Sequence, residues 1–262
     1  MLENKIAVIY GGGGSVGGAV ARAVAREGAK VFLAGRTAAT LERVAGEISA
    51  AGGAVETAQV DALDEEAVNR HADAVAEKAG RIDLSFNAIG HGDVHGIPLL
   101  DMSLEDFARP VTAAVRTVFL TARAAARHMV KQQSGVIMAI TATTARQSIP
   151  NVGGTGVAFD AIESVCRQWA CELGRLGVRV VWLQTTGIQE AIADIDAFPD
   201  YGPGREAMSR SELIAWLTEK TLLNRLTSLE DVANAAVFLA SDRAGAVTAG
   251  AANITCGSIP TR

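Results

Sequence analysis

The stretch Tyr10–Val20, YGGGGSVGGAV, constrains the fold more than any other part of the chain. It follows a short apolar run, KIAVIY at 5–10. It opens a helical pattern from Ser15 to Glu27 in which Val16, Ala19, Val20, Ala23 and Val24 share one face. Gly28 sits where helices commonly stop. Glycines between a strand and a helix leave bare backbone that a phosphate can approach. The helix N-terminus adds unpaired N–H groups and the positive end of its dipole.

The same alternation runs to the end of the chain. Strands are expected at 30–35, 54–60, 82–86, 135–141, 178–184 and 248–255. Helices are expected from a Thr37 cap to about Ala51, at 64–79, 103–130, 153–174, 211–223 and 229–240. Strands that read as apolar throughout imply a parallel sheet covered on both faces. With right-handed crossovers, this predicts an α/β fold: a three-layer, Rossmann-type, doubly wound parallel sheet of about seven strands. No linker or repeat divides the chain, so residues 1–262 form one expected domain. The irregular insertion at 188–210, with Pro199, Gly202, Pro203 and Gly204, follows the sixth strand and is the candidate substrate lid.

Composition narrows the function classes. Hydrophobic residues are 49% of 262, enough for a large core, and charged residues 20% with a net charge of −5. An acidic chain without a basic patch argues against nucleic acid and anionic membrane partners. No apolar run reaches ~18 residues, so no membrane span is expected. MLENKIAVIY enters a strand at once and lacks a signal-peptide shape. Cys166, Cys171 and Cys256 lack metal spacing and read as small buried hydrophobes in a reducing cytoplasm, the expected location.

The end of the second strand bears on cofactor choice. An acidic residue there would bind a ribose 2′-hydroxyl and select NAD(H). This chain has Gly35 and Arg36, which remove the repelling carboxylate and offer a guanidinium to a 2′-phosphate. NADP(H) is the expected cofactor, with NAD(H) as the alternative.

These motifs resemble those of the classical short-chain dehydrogenases/reductases over essentially the whole length. The glycine loop is similar to the family's TGxxxGxG, with Tyr10 for threonine and Ser15 for the middle glycine. Asp61 in VDALD matches the aspartate that contacts adenine, and NAIG at 87–90 matches NNAG with Asn87 retained. RLTSLEDVANAAVFLASD (225–242) resembles the helix before the last strand, and TTGI (185–188) falls at the Pro-Gly element beside the nicotinamide. The resemblance implies cofactor contacts from Gly11, Ser15, Val16, Gly17, Arg36, Asp61, Ala62, Asn87 and Gly187.

The catalytic half departs from the pattern. The family uses a tyrosine as proton donor and a lysine four residues later that lowers its pKa and holds the nicotinamide ribose. A serine orients the substrate oxygen, and an asparagine holds a relay water. Anchored on WACELG (169–174) and GVIMAIT (135–141), these positions fall on Thr155, Phe159, Ala142 and Ala114. No tyrosine or lysine lies between 132 and 200, so no local shift restores the pair. A positioned general acid contributes ~10²–10⁴-fold, and an unaided threonine is too weak an acid to replace it.

Substitutes are available on the loop GHGDVHG (90–96), with His91, Asp93 and His95, suited to proton transfer near neutral pH. The competing reading of this loop is a polar glycine-rich turn; no metal site is expected. Thr141, Thr143 and Thr144 flank Ala142, and Tyr201 lies in the lid segment. Three readings follow: an oxidoreductase of a carbonyl or alcohol with a non-standard proton donor, an inactive NADP(H)-binding pseudoenzyme or sensor, or a redox-neutral lyase or isomerase. Alanine and phenylalanine at the pocket positions point to a small, apolar substrate or ligand. The helix 153–174 is apolar on more than one face, and the resemblance implies pairing as a homodimer or homotetramer.

Overall fold

A computed structural model describes residues 1–193 and 209–259. Its first half runs β1 (Ile6–Tyr10), α1 (Ser15–Arg26), β2 (Lys30–Gly35), α2 (Ala38–Ala50), β3 (Val55–Gln59), α3 (Glu65–Ala79), β4 (Leu84–Asn87) and α4 (Leu104–Gln132). The second half runs β5 (Gly135–Ala142), α5 (Thr155–Leu173), β6 (Val178–Thr185), α6 (Gln189–Ala193), α7 (Arg210–Glu219), α8 (Leu229–Ala240) and β7 (Gly250–Ile254). The strands form one parallel sheet in the order β3-β2-β1-β4-β5-β6-β7. The expected single-domain, doubly wound sheet of seven strands is the one observed.

Each face of the sheet carries a core. On one side, Ile9, Leu33, Phe86 and Leu183 pack with α1 and α8 through Val20, Val24, Val232 and Ala236. On the other, Val8, Phe32, Ile137 and Val180 pack with α3, α4 and α5 through Val68, Val118, Met129 and Ile162. The central strands are buried on both faces, which is why they read as unbroken apolar runs. β3 does not. VETAQ is an edge strand, where Glu56 reaches Lys30 and Lys78 at 2.9 and 2.7 Å. The expectation that all strands are apolar fails there because one flank of β3 has no neighbouring strand.

Helix boundaries follow local chemistry. Asp64 and Ser103 accept bonds from Ala67 N and Asp106 N, fixing the starts of α3 and α4. Ser228 and Asp231 form a capping box on α8. Thr37 occupies the start of α2, but its side chain makes no capping bond; its carbonyl instead accepts the Thr40 hydroxyl at 2.9 Å. The helix expected to reach 223 ends at Glu219. There the Thr221 hydroxyl donates to Thr218 O and accepts from Arg225 N, turning the chain. Of the cysteines, Cys166 is in the core, but Cys171 is exposed on the outer side of α5 and Cys256 is partly buried. The candidate lid at 188–210 falls largely, and Tyr201 wholly, outside the described residues. Among the described residues, no helix is long and apolar enough to cross a membrane.

At the carboxyl end of β1, Tyr10 is buried with its hydroxyl 3.4 Å from His71 Nδ1, the rings edge to face. Burial lowers the His71 pKa to about 4 and pushes the Tyr10 phenol up. An unfolded histidine titrates near 6.5, so between pH 6.5 and 4 the unfolded chain binds the proton and the folded one resists it. Stability from this site is complete above pH 6.5 and falls as the pH drops toward 4. His71→Leu should flatten that acid-side loss by roughly 3 kcal/mol relative to the parent chain, read from urea unfolding at pH 7 and pH 4.

Candidate active site

The topology opens a cleft where the chain, having built β2 and β3 on one side of β1, crosses to build β4 on the other. A cavity of about 440 Å³ runs along the carboxyl ends of these strands. Its walls are the glycine loop after β1, Gly35–Thr37 after β2, Val60–Leu63 after β3, Ala88–Gly92 after β4, and Arg109, Ala113 and Thr117 of α4.

The loop fits an anionic, phosphate-bearing group. Gly11 has φ +77°, and a Cβ on Gly17 would sit 2.3 Å from the Gly11 carbonyl oxygen. A Cβ on Gly13 would meet Thr40 Oγ1 at the same distance. Side chains are therefore excluded, and α1 begins flush against the loop. Its start has no capping side chain and no acid in the first turn. The N–H groups of Ser15, Val16 and Gly17 precede the bond from Gly18 N to Gly14 O. They face outward at the positive end of the helix.

The expected cofactor residues divide into two groups. Gly11, Arg36, Asp61 and Ala62 line the cavity. The Arg36 guanidinium is exposed and makes no hydrogen bond or ion pair among the described residues, while its carbonyl accepts from Gln59. Asp61 holds its own turn through Leu63 N at 3.0 Å. Ser15, Val16, Gly17, Asn87 and Gly187 lie outside the cavity wall. Asn87 is a brace: it donates to Thr121 Oγ1 at 3.1 Å and accepts from Ile89 N at 3.2 Å, shaping the loop after β4. Gly187 lets Leu217 and Ile192 close in, since a Cβ would meet them at 2.6 and 2.9 Å.

The loop 90–96 splits. Asp93 and His95 converge on Thr155 at the head of α5. His95 Nε2 is 2.9 Å from the Thr155 hydroxyl, which lies 3.1 Å from Asp93 Oδ1. His91 goes elsewhere, burying its ring edge-on against Phe159 with centroids 5.8 Å apart. Burial lowers the pKa of both histidines, against the opposing pull of Asp93. Both rings are therefore neutral at pH 7.

Close backbone packing puts Thr155 there. A Cβ on Gly154 would lie 2.0 Å from Phe107 O and 3.1 Å from Pro110, so glycine alone lets the head of α5 rest on the first turns of α4. Ala114 is fully buried in α4, Ala142 ends β5, and neither carries a polar atom to the site. Thr144 Oγ1, two residues further on, is buried without a hydrogen-bond partner among the described residues.

Sequence reasoning missed Glu163. It is fully buried and accepts from Thr141 Oγ1 at 3.3 Å and Gln184 Nε2 at 2.9 Å. Arg146 donates to its other oxygen through Nε at 3.0 Å and through Nη2. The network ties the turn after β5 to α5 and β6. Its one sequence signal is an acid two turns beyond Thr155, on the same stripe of the helix. Among the described residues, no group of three His, Cys, Asp or Glu side chains is placed to hold a metal.

Comparison with known proteins agrees with this architecture. Residues 12–258 match a family model described as enoyl-(acyl carrier protein) reductase. The chain is 31% identical over 257 residues to the 7alpha-hydroxysteroid dehydrogenase of Clostridium sardiniense, covering 94% of this chain and 90% of that one. It is 27% identical over 244 residues to gluconate 5-dehydrogenase of Gluconobacter oxydans, covering 92% and 89%. A 7 alpha-hydroxysteroid dehydrogenase complexed with NADH and 7-oxo glycochenodeoxycholic acid superposes with a TM-score of 0.85 at 28% identity, over 98% of this chain and 94% of that one. NAD+-bound xylitol dehydrogenase superposes with a TM-score of 0.90 at 23% identity over 98% and 99%, a likeness of fold.

The glycine contacts yield a paired prediction. Gly17→Ala drives a Cβ into backbone and should cost about 2 kcal/mol or more. Gly46→Ala, in α2 with nothing within 4 Å of the added carbon, should stabilise by up to about 1 kcal/mol. Urea unfolding of both variants checks the contrast.

Proposed function

The chain belongs to the short-chain dehydrogenase/reductase family, and on that basis we propose that it is an NADP(H)-dependent oxidoreductase with a non-standard proton relay. Its substrate is a small, apolar alcohol or the corresponding carbonyl compound. The observation that carries this reading is the Thr155 hydroxyl held between His95 Nε2 and Asp93 Oδ1, at 2.9 and 3.1 Å, at the head of α5. Arg36 would hold the 2′-phosphate, and the first turn of α1 the pyrophosphate, as the bare glycine loop and unpaired guanidinium support. The nicotinamide ring supplies or accepts the hydride when bound.

The protein's own part is the proton. A threonine hydroxyl never needs to ionise if it passes a proton on as it receives one. In alcohol oxidation, Thr155 Oγ1 takes the substrate's hydroxyl proton while releasing its own to Nε2 of neutral His95. Asp93 stabilises the imidazolium that results. With the proton pointed at Asp93 instead, Thr155 accepts from the Nε2–H tautomer, and the relay is at rest. In carbonyl reduction the same path runs backward, from imidazolium through Thr155 to the substrate oxygen. Phe159, Ala114 and Ala142 leave the surroundings apolar, which favours a weakly polar substrate and excludes the family's tyrosine–lysine chemistry. That apolar lining also favours a second reading, a protein that binds NADP(H) without turnover.

The test combines binding and kinetics. Fluorescence titration should give NADPH a Kd at least tenfold below that of NADH, and Arg36→Ala should erase the difference. Absence of NADPH binding near millimolar concentration overturns both readings. Against a panel of small apolar secondary alcohols with NADP+, Thr155→Val and His95→Gln should each lower kcat by about 10²–10⁴-fold while NADPH still binds. Oxidation by the parent chain should be flat above pH 6.5, because burial keeps His95 neutral there, and should fall in more acidic solution as the ring is protonated. Unchanged turnover in Thr155→Val eliminates the relay, and NADPH binding with no turnover across the panel favours the second reading.

The outer face of α4 and α5 completes the proposal. Phe119 stacks on Trp169 with ring centroids 5.6 Å apart, Val157 is exposed beside this face's helix head, and the Trp169 indole N–H has no partner among the described residues. This face is read as the pairing surface of a homodimer or homotetramer, and sedimentation at micromolar concentration should give twice the chain mass or more.

A further inference from the structure

We propose that His91 binds the ribose hydroxyls of the second nucleoside, the one at the far end of the cleft from Arg36. The inference rests on the dinucleotide reading above and adds a contact that neither the glycine loop nor Thr155 supplies.

Four observations converge on it. His91 is only 5% exposed, yet among the described residues neither ring nitrogen has a hydrogen-bond partner. Its nitrogens are not among the fully enclosed unpartnered atoms of the described residues, so the ring is buried while its polar atoms keep an opening. The ring lines the cavity, so its nitrogens have access to whatever fills that space. Phe159 closes off one side of the imidazole edge-on, at 70° between ring planes, and offers no hydrogen bond of its own. The His91 nitrogens are therefore available to a ligand that fills the cavity.

Topology identifies which part of the ligand that is. The cavity passes Asp61 beyond β3, Arg36 beyond β2, the glycine loop beyond β1, and His91 beyond β4, in that spatial order. A dinucleotide with its 2′-phosphate at Arg36 and its pyrophosphate over the start of α1 extends its second nucleoside past β4. The chemistry of the contact agrees. A buried, neutral imidazole presents one donor and one acceptor. A sugar hydroxyl also both donates and accepts, whereas a phosphate oxygen only accepts and would favour a charged ring. His91 thus differs in task from His95, which contacts the proton-carrying threonine, although only four residues separate them.

The experiment measures the affinities of NADPH and of 2′,5′-ADP, a fragment that lacks the second nucleoside, by calorimetry. The parent chain, His91→Ala and His91→Gln are compared. His91→Ala should weaken NADPH about three- to tenfold, the scale of one or two neutral hydrogen bonds, and leave 2′,5′-ADP within about twofold. His91→Gln, which keeps a donor and an acceptor, should recover most of the loss. Binding of 2′,5′-ADP also reports that each variant retains a folded cleft. If His91→Ala leaves NADPH unchanged, or weakens both ligands equally, the assignment is wrong while the dinucleotide reading stands. If the parent chain binds neither ligand, both fall together.

Discussion

The contact between Gly17 and the carbonyl of Gly11 governs the rest of the molecule's chemistry. It brings the first turn of α1 against the end of β1 with no side chain between them. That turn then starts beside the glycine loop, which opens onto the same cavity as the loops after β2, β3 and β4. A parallel sheet places all its carboxyl ends on one edge, so every loop that follows a strand is delivered there. The apolar strands below contribute rigidity. Buried on both faces by separate helix layers, they hold the loops in fixed relation.

A second close approach organises the head of α5, whose Thr155 lies outside the cavity wall. Gly154 lets the head of α5 settle onto Phe107 O and Pro110 of α4, and this fixes Thr155 opposite the loop after β4. A hydroxyl there is held from two sides by groups of different basicity. The family's tyrosine–lysine pair makes one group more acidic. The proposed relay instead makes acidity unnecessary, because the hydroxyl gains and loses a proton together. Beneath it, Glu163 binds Arg146, Thr141 and Gln184. A carboxylate with donors from three elements holds the turn after β5 against α5, and such a buried charge is tolerated only with that complement of partners.

Much of the fold was legible in residue patterns. Short unbroken apolar runs and period-3.6 hydrophobicity separated strands from helices, and the helix starts expected at 64 and 103 fall at Asp64 and Ser103, whose side chains cap α3 and α4. The errors have physical causes. β3 carries polar residues at 56, 57 and 59 where continuous apolarity was expected, because edge position depends on strand order and not on local sequence. The helix expected to reach 223 stops at Glu219 because a threonine side chain competes with the backbone for hydrogen bonds. Thr37 has a capping residue's identity and position without the bond.

The sequence by itself determined the layered parallel sheet, the glycine loop at the start of α1, Gly35 and Arg36 in place of an acid after β2, and the absence of any tyrosine or lysine from 132 to 200. These are properties of composition and spacing along the chain. Only the tertiary structure decided how the motif GHGDVHG divides its labour. It sends Asp93 and His95 to Thr155, sixty-odd residues away, and His91 to Phe159 and the cavity. It also decided that the buried Glu163 pairs with Arg146 and that Asn87 is occupied by Thr121. The physical reason is the same in each case. A side chain's protonation state and its free hydrogen-bonding capacity depend on its neighbours in space, and those neighbours are set by helix packing at Gly17 and Gly154.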